Sequence, residues 1–332
     1  MSTTTQPLRV DVPARRTWAR RLAPSGMVWL VWRQHRTAFL LLLAAAALMT
    51  AGLAWLAHDV RAAITAAGAT ETPTEDLATA YGRFGAAGLA LTGLPVVIGV
   101  FVGAPLFAGD LETGTAKFVG AQSRSRRDWV ITKLGTAAVF AGAAALSTGI
   151  AMKALLTPLV NHIAFDPDFT DAAMFDTTGP VTVALALLGL LIGAAAGLLT
   201  RRTLPAMVVT FFVLLALKAA WSYLRTAFET TVTATTGGGR FAVDDFPDIP
   251  GNALQTNIAY ITGDGSLRGW NTCVAANDRA ACLRGEGVVG WSREYLPFSH
   301  FTSMQWTATG ALAVLILLAG GVVVYGARRA LR

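Results

Sequence analysis

The sequence predicts an all-α polytopic membrane protein, with six transmembrane helices, an interfacial N-terminal helix and a small extracellular domain between spans 5 and 6. Three observations predict it. Of 332 residues, 54% are hydrophobic and only 14% charged, where a soluble domain carries about 25% charged residues. Mean hydropathy is +0.51. The apolar residues also come in six long runs, approximately 38–57, 85–108, 134–156, 181–199, 204–224 and 307–324. Each approaches the ~20 residues that cross a ~30 Å hydrocarbon layer at 1.5 Å per residue. None alternates as a barrel strand does, so the backbone must be satisfied within helices.

The elements follow in chain order. Residues 1–25 form a flexible tail made basic by Arg9, Arg15, Arg16, Arg20 and Arg21. Such a tail holds its end in the cytoplasm and meets anionic lipid. Residues 26–37, GMVWLVWRQHRT, suit an interfacial helix: Trp29 and Trp32 lie at headgroup level, Arg33 and Arg36 in water, and His35 is solvated. Spans 1–5 occupy 38–224 and enclose a polar bridge at 109–133. Residues 225–306 form the extracellular domain, and 307–332 hold the last span and a basic end.

Charge sets the orientation. With the N-terminus inside, the inner segments hold 17 Lys/Arg and 4 Asp/Glu, and the outer segments hold 8 Lys/Arg and 16 Asp/Glu. This asymmetry predicts both termini in the cytoplasm of a cell-membrane protein. It also explains the pI of about 9.9 without a nucleic-acid partner. Trp55, Trp221, Tyr223 and Trp306 at outer ends, with Trp129 and Tyr325 at inner ends, are expected in the interfacial belt.

Within the spans, Gly189, Gly193 and Gly197 recur every four residues, and Gly99 and Gly103 repeat the interval. One small-residue face lets backbones approach, either within the subunit or toward a second copy. Pro95 is a kink candidate, and Pro205 falls near the start of its span. Lys153 and Lys218 are expected to snorkel outward. The acidic residues Asp166, Asp168, Asp171 and Asp176 miss the EF-hand spacing and read as solvated loop charge.

No chemistry of catalysis is visible: the chain lacks HExxH, GxSxG and an intramembrane Asp/Glu/His chain. It also lacks a GxxxxGK[ST] phosphate loop, so it is not an ATPase itself. No bound metal or cofactor is expected. In the outer domain, Cys273 and Cys282 are separated by eight residues. An oxidising exterior makes a disulfide the default.

The stretch 103–134, GAPLFAGDLETGTAKFVGAQSRSRRDWVITKL, leaves a span, turns polar, and becomes apolar again. Together with six spans and the WRQHR helix, it resembles the permease subunits of type-2 ATP-binding-cassette exporters, most nearly the actinobacterial kind. The residues that carry the likeness are Ala104-Pro105, Asp110, Glu112, Gly114-Thr115, Gln122-Ser123, Arg126-Arg127, Trp129 and Lys133. The family often has Arg where Gly109 stands, and its last outer loop is often short, unlike the loop here.

The resemblance implies that residues 112–128 are a coupling region docking on a separate ATP-binding subunit, which would hold ATP and Mg. Its residues would be Glu112, Gly114, Thr115, Arg124, Arg126, Arg127 and Trp129. It further implies a second permease copy, as a homodimer or with a sister chain, and outward movement of a hydrophobic or amphipathic small molecule, peptide or lipid. Independently of the family, arginines offer forked contacts to partner carboxylates. A stiff link between two spans also converts a push into a tilt. The alternative function is a non-transporting sensor or scaffold whose extracellular domain binds a ligand.

Overall fold

A computed structural model describes residues 26–67, 75–115, 125–160, 168–226, 228, 230–236 and 242–330. The basic tail, Arg124, Gln122-Ser123 and Asp166 lie outside the described residues. Among the described residues, six helical segments are long and apolar enough to cross a membrane.

Helix α1 (Met27–Ala67) runs 41 residues without a break, about 60 Å at the α-helical rise. That is twice the hydrocarbon thickness, so the interfacial segment 26–37 is the first turns of span 1 rather than a hinged element. At its other end Asp59 pairs with Arg83 of α2 (Glu75–Thr92) at 2.6 Å.

The second span is helix in four pieces: α2, then α3 (Leu94–Ile98), a π-helical turn (Gly99–Gly103) and α4 (Ala104–Glu112). Pro95 and Pro105 each sit in the first turn of a piece, where a missing N–H costs least. In the π turn the Ala104 N–H reaches back to the Gly99 carbonyl.

Span 3 is α5 (Arg126–Val160); a short α6 (Ala172–Phe175) precedes span 4, α7 (Gly179–Thr200). A left-handed Arg201 (φ 57°) turns the chain tightly into span 5, α8 (Thr203–Thr226), and span 6 is α10 (Phe301–Ala330).

Helix α7 is the axis. Its apolar stretch is 78% buried, against 17% for α8 and α10. The glycine face explains why. A Cβ at Gly189 would lie 2.3 Å from the Pro95 carbonyl oxygen, one at Gly193 2.1 Å from that of Gly99, and one at Gly197 2.4 Å from that of Ala104. The stripe therefore packs against the broken second span, within the subunit. The wide π turn lies where Gly193 needs room for close backbone approach.

The two largest apolar clusters among the described residues lie in the bundle. Phe39, Phe107, Trp129, Ala194 and Leu198 belong to one. Leu53, Met152, Phe175, Trp221 and Met304 belong to the other.

Between spans 5 and 6 lies a four-stranded antiparallel sheet in the order β1-β4-β2-β3. Its strands are β1 (Val232–Thr235), β2 (Leu254–Thr262), β3 (Leu267–Gly269) and β4 (Val288–Leu296), with α9 (Arg279–Gly285) before β4. Buried Tyr260, Leu283, Val288 and Trp291 form its core, the two large rings 4.1 Å apart.

Cys273 and Cys282 are disulfide-bonded, with Cα atoms 5.9 Å apart. The bond ties the chain after β3 to α9. Replacing both by serine should lower the stability of this unit by about 2–3 kcal/mol, the loop-closure value for so short a ring. Reductant should reproduce the shift in thermal unfolding, and no shift with either treatment would contradict a stabilising role.

Four expectations about single residues are corrected. Trp129 (2% exposed) and Trp221 (3% exposed) are buried rather than in the interfacial belt. Trp55, Tyr223, Trp306 and Tyr325 are exposed, as a belt requires.

Lys218 does not snorkel. Its Nζ donates to the Thr92 carbonyl at 2.9 Å and lies 3.4 Å from Asp176. Asp176 is not solvated loop charge: it is buried, and also accepts from Trp221 Nε1 at 2.8 Å and faces Arg225 at 3.5 Å. A buried carboxylate needs such partners. Lys218, Trp221 and Arg225 supply them from one face of α8 at intervals of three and four. Lys153 is exposed, and it lines an apolar groove with Trp306 and Pro180.

Candidate coupling site

The bridge begins where α4 ends. The Thr113 hydroxyl donates to the Gly109 carbonyl at 2.8 Å, and that of Thr115 to the Asp110 carbonyl at 3.3 Å. The Gly109 carbonyl also accepts from the Thr113 N–H at 3.1 Å, so the two hydroxyls add to the capping of the helix end. Gly114 turns the chain at φ +74°, a left-handed conformation that glycine adopts without steric cost. On the far side Ser125 caps α5, its Oγ accepting from the Asp128 N–H at 3.1 Å.

Two ties fix these ends. The first is Lys133, fully buried in the second turn of α5. Its Nζ donates to Asp110 Oδ2 at 2.5 Å and to the Leu106 carbonyl at 2.8 Å. Asp110 lies in the last turn of α4, where the helix dipole also favours a cation, and Leu106 lies one turn earlier. The ammonium lies 5.2 Å from the Trp129 ring centroid and 5.9 Å from that of Phe107. Those two rings meet edge to face at 5.3 Å. Ion pair and rings together lock α5 to α4.

The second tie is Glu112. Its Oε2 accepts from the Thr203 N–H at 2.9 Å and from the Thr203 hydroxyl at 2.8 Å. Thr203 opens α8, so Glu112 is an N-cap supplied from 91 residues away. A third contact binds the neighbouring turn to the last span: Arg201 Nη2 donates to the Arg329 carbonyl at 3.1 Å.

The residues of the expected coupling region therefore divide. Glu112 is exposed yet bound to α8, while Gly114 and Thr115 shape the turn. Arg126 and Arg127 are exposed at the start of α5. Trp129 is buried and holds the bridge from inside rather than presenting a ring to a partner. Arg124 lies outside the described residues. Sequence reasoning missed that Lys133 is buried and that Thr203 takes up Glu112. For Lys133 the signal was present, a lysine one turn past Trp129 at the edge of an apolar run. For Thr203 there was none beyond a threonine at a helix start.

The bridge is thus joined to three helices: to α4 through its own backbone, to α5 through Lys133 and to α8 through Glu112.

Residues 29–225 match the family described as ABC-2 membrane transporter related. The match ends at Arg225, before the disulfide-bonded sheet. No curated protein and no solved structure matches the chain. The family supports a type-2 permease, the membrane component of a transporter and not its ATPase. With six membrane-crossing helices and a family match over more than half its length, the chain is a multi-pass membrane transport subunit that belongs to the ABC-2 membrane transporter related family.

Proposed function

We propose that this chain is the permease of an ATP-driven exporter in the cell membrane, with both termini cytoplasmic. A separate ATP-binding subunit, holding ATP and Mg, docks on the bridge around Glu112, Gly114, Thr115, Arg124, Arg126 and Arg127. Trp129 acts behind that surface. A second copy of the chain completes the pathway, and the cargo is a hydrophobic or amphipathic molecule, peptide or lipid moved outward.

The observation that carries the reading is the double tie at the bridge, Lys133 with Asp110 and Glu112 with Thr203. A loop that only connects two spans needs neither. A lever must be joined to the helices it moves.

The test is co-purification with an ATP-binding subunit, then ATP hydrolysis measured with and without this chain in proteoliposomes. Binding and a raised rate are expected. Glu112→Ala should cost only about 1 kcal/mol of stability, as for other lost caps, yet remove most of the rate increase. An unchanged increase would contradict a coupling role for Glu112.

A further inference from the structure

The basic end of the bundle carries a cleft of about 710 Å³ between α5 and α10, lined by Arg126, Arg127, Val130, Ile131, Val324, Ala327 and Arg328. Three guanidinium groups stand at its rim, and none of them is in an ion pair among the described residues. Asp128, the acidic residue of the same first turn of α5, is not part of the lining. The floor is apolar, and Ile131 (56%) and Val324 (50%) are open to the surroundings. Exposed Tyr325, next to Val324, marks the depth of a membrane interface.

Charge and depth together select one occupant. Guanidinium groups pair with phosphate in forked geometry. Exposed branched side chains directly beneath them, at the edge of two spans, match acyl chain rather than water. We propose that this cleft is a binding site for an anionic phospholipid of the leaflet at the basic end. Its phosphate sits between Arg126, Arg127 and Arg328, and an acyl chain lies on Val324 and Ile131. The site shares Arg126 and Arg127 with the proposed docking surface but does not rest on the coupling reading. Arg328 belongs to span 6, outside both the bridge and the family match, and the site needs no ATP-binding subunit.

Native mass spectrometry of the full chain in mild detergent tests this, with phosphatidylglycerol and phosphatidylcholine of the same acyl chains as probes. The wild type should retain phosphatidylglycerol at least about tenfold better, given the attraction of each basic side chain for an anionic headgroup. Arg126→Gln/Arg127→Gln/Arg328→Gln should bring the two lipids to near parity. Arg328→Gln alone, which leaves the bridge intact, should lose part of the preference. Val324→Trp keeps every charge but fills the floor, and should weaken phosphatidylglycerol retention. Equal retention by the wild type would overturn the site, as would a preference that survives the triple substitution. So would a preference abolished instead by Arg15→Gln/Arg16→Gln/Arg20→Gln in the tail.

Discussion

Lys133→Met should destabilise the protein by about 3–5 kcal/mol, the loss expected when one member of a buried ion pair is removed. The reason is what stays behind. Asp110 keeps a carboxylate with only 13% of its side chain exposed, and the Leu106 carbonyl loses the ammonium it accepts from. Methionine fills the volume of the lysine stem, so packing on Phe107 and Trp129 is largely kept and the loss reports the electrostatics. Adding Asp110→Leu should recover most of it, because an apolar pair of similar size often replaces a buried ion pair at little cost. Unfolding in mixed micelles of the four proteins of this cycle measures the coupling. Additive single effects would mean that the two side chains do not act as a pair.

Gly193→Ala carries the second large effect. The added methyl would stand 2.1 Å from the Gly99 carbonyl oxygen and 2.8 Å from the Ala104 nitrogen. Both are backbone atoms and neither can swing aside, so α7 and the second span must separate. Overpacking usually costs 1–3 kcal/mol, and contact with main chain on this scale places the loss at about 3 kcal/mol or more.

Gly142→Ala on α5 is the matched control. A Cβ there meets nothing within 4 Å, and alanine's better helix propensity should stabilise by about 0.5–1 kcal/mol. Thermal unfolding in detergent should move the two variants in opposite directions. Equal shifts would remove the close-packing account of the glycine face.

The spans were legible because their signal is local. Twenty apolar residues in a row mean the same thing wherever they fall, and the glycine interval of four marks a face without naming its partner. The disulfide was legible because the two cysteines are near neighbours and no other cysteine competes.

What stayed hidden depends on distant pairing. A lysine at the end of an apolar run reads as snorkelling when its run is considered alone. Lys218 turns inward because Asp176, 42 residues earlier, is buried beside it. Trp221 left the belt for the same carboxylate. At the basic end, the acidic and basic residues of the bridge were visible, but their division of labour was not. Lys133 and Trp129 face inward because α4 returns its C-terminal turn to them. Glu112 is engaged because the turn at Arg201 brings the start of α8 within reach. No spacing rule connects positions 112 and 203.

The central claim is that an ATP-hydrolysing subunit grips the bridge between spans 2 and 3. Photo-cross-linking tests it most directly, with a benzophenone amino acid placed at Arg124 on the bridge or at exposed Trp270 on the disulfide-bonded unit. The account predicts a cross-link from position 124 to the ATP-binding subunit and none from position 270. A cross-link from position 270, or silence from position 124 in a complex that co-purifies, would contradict it.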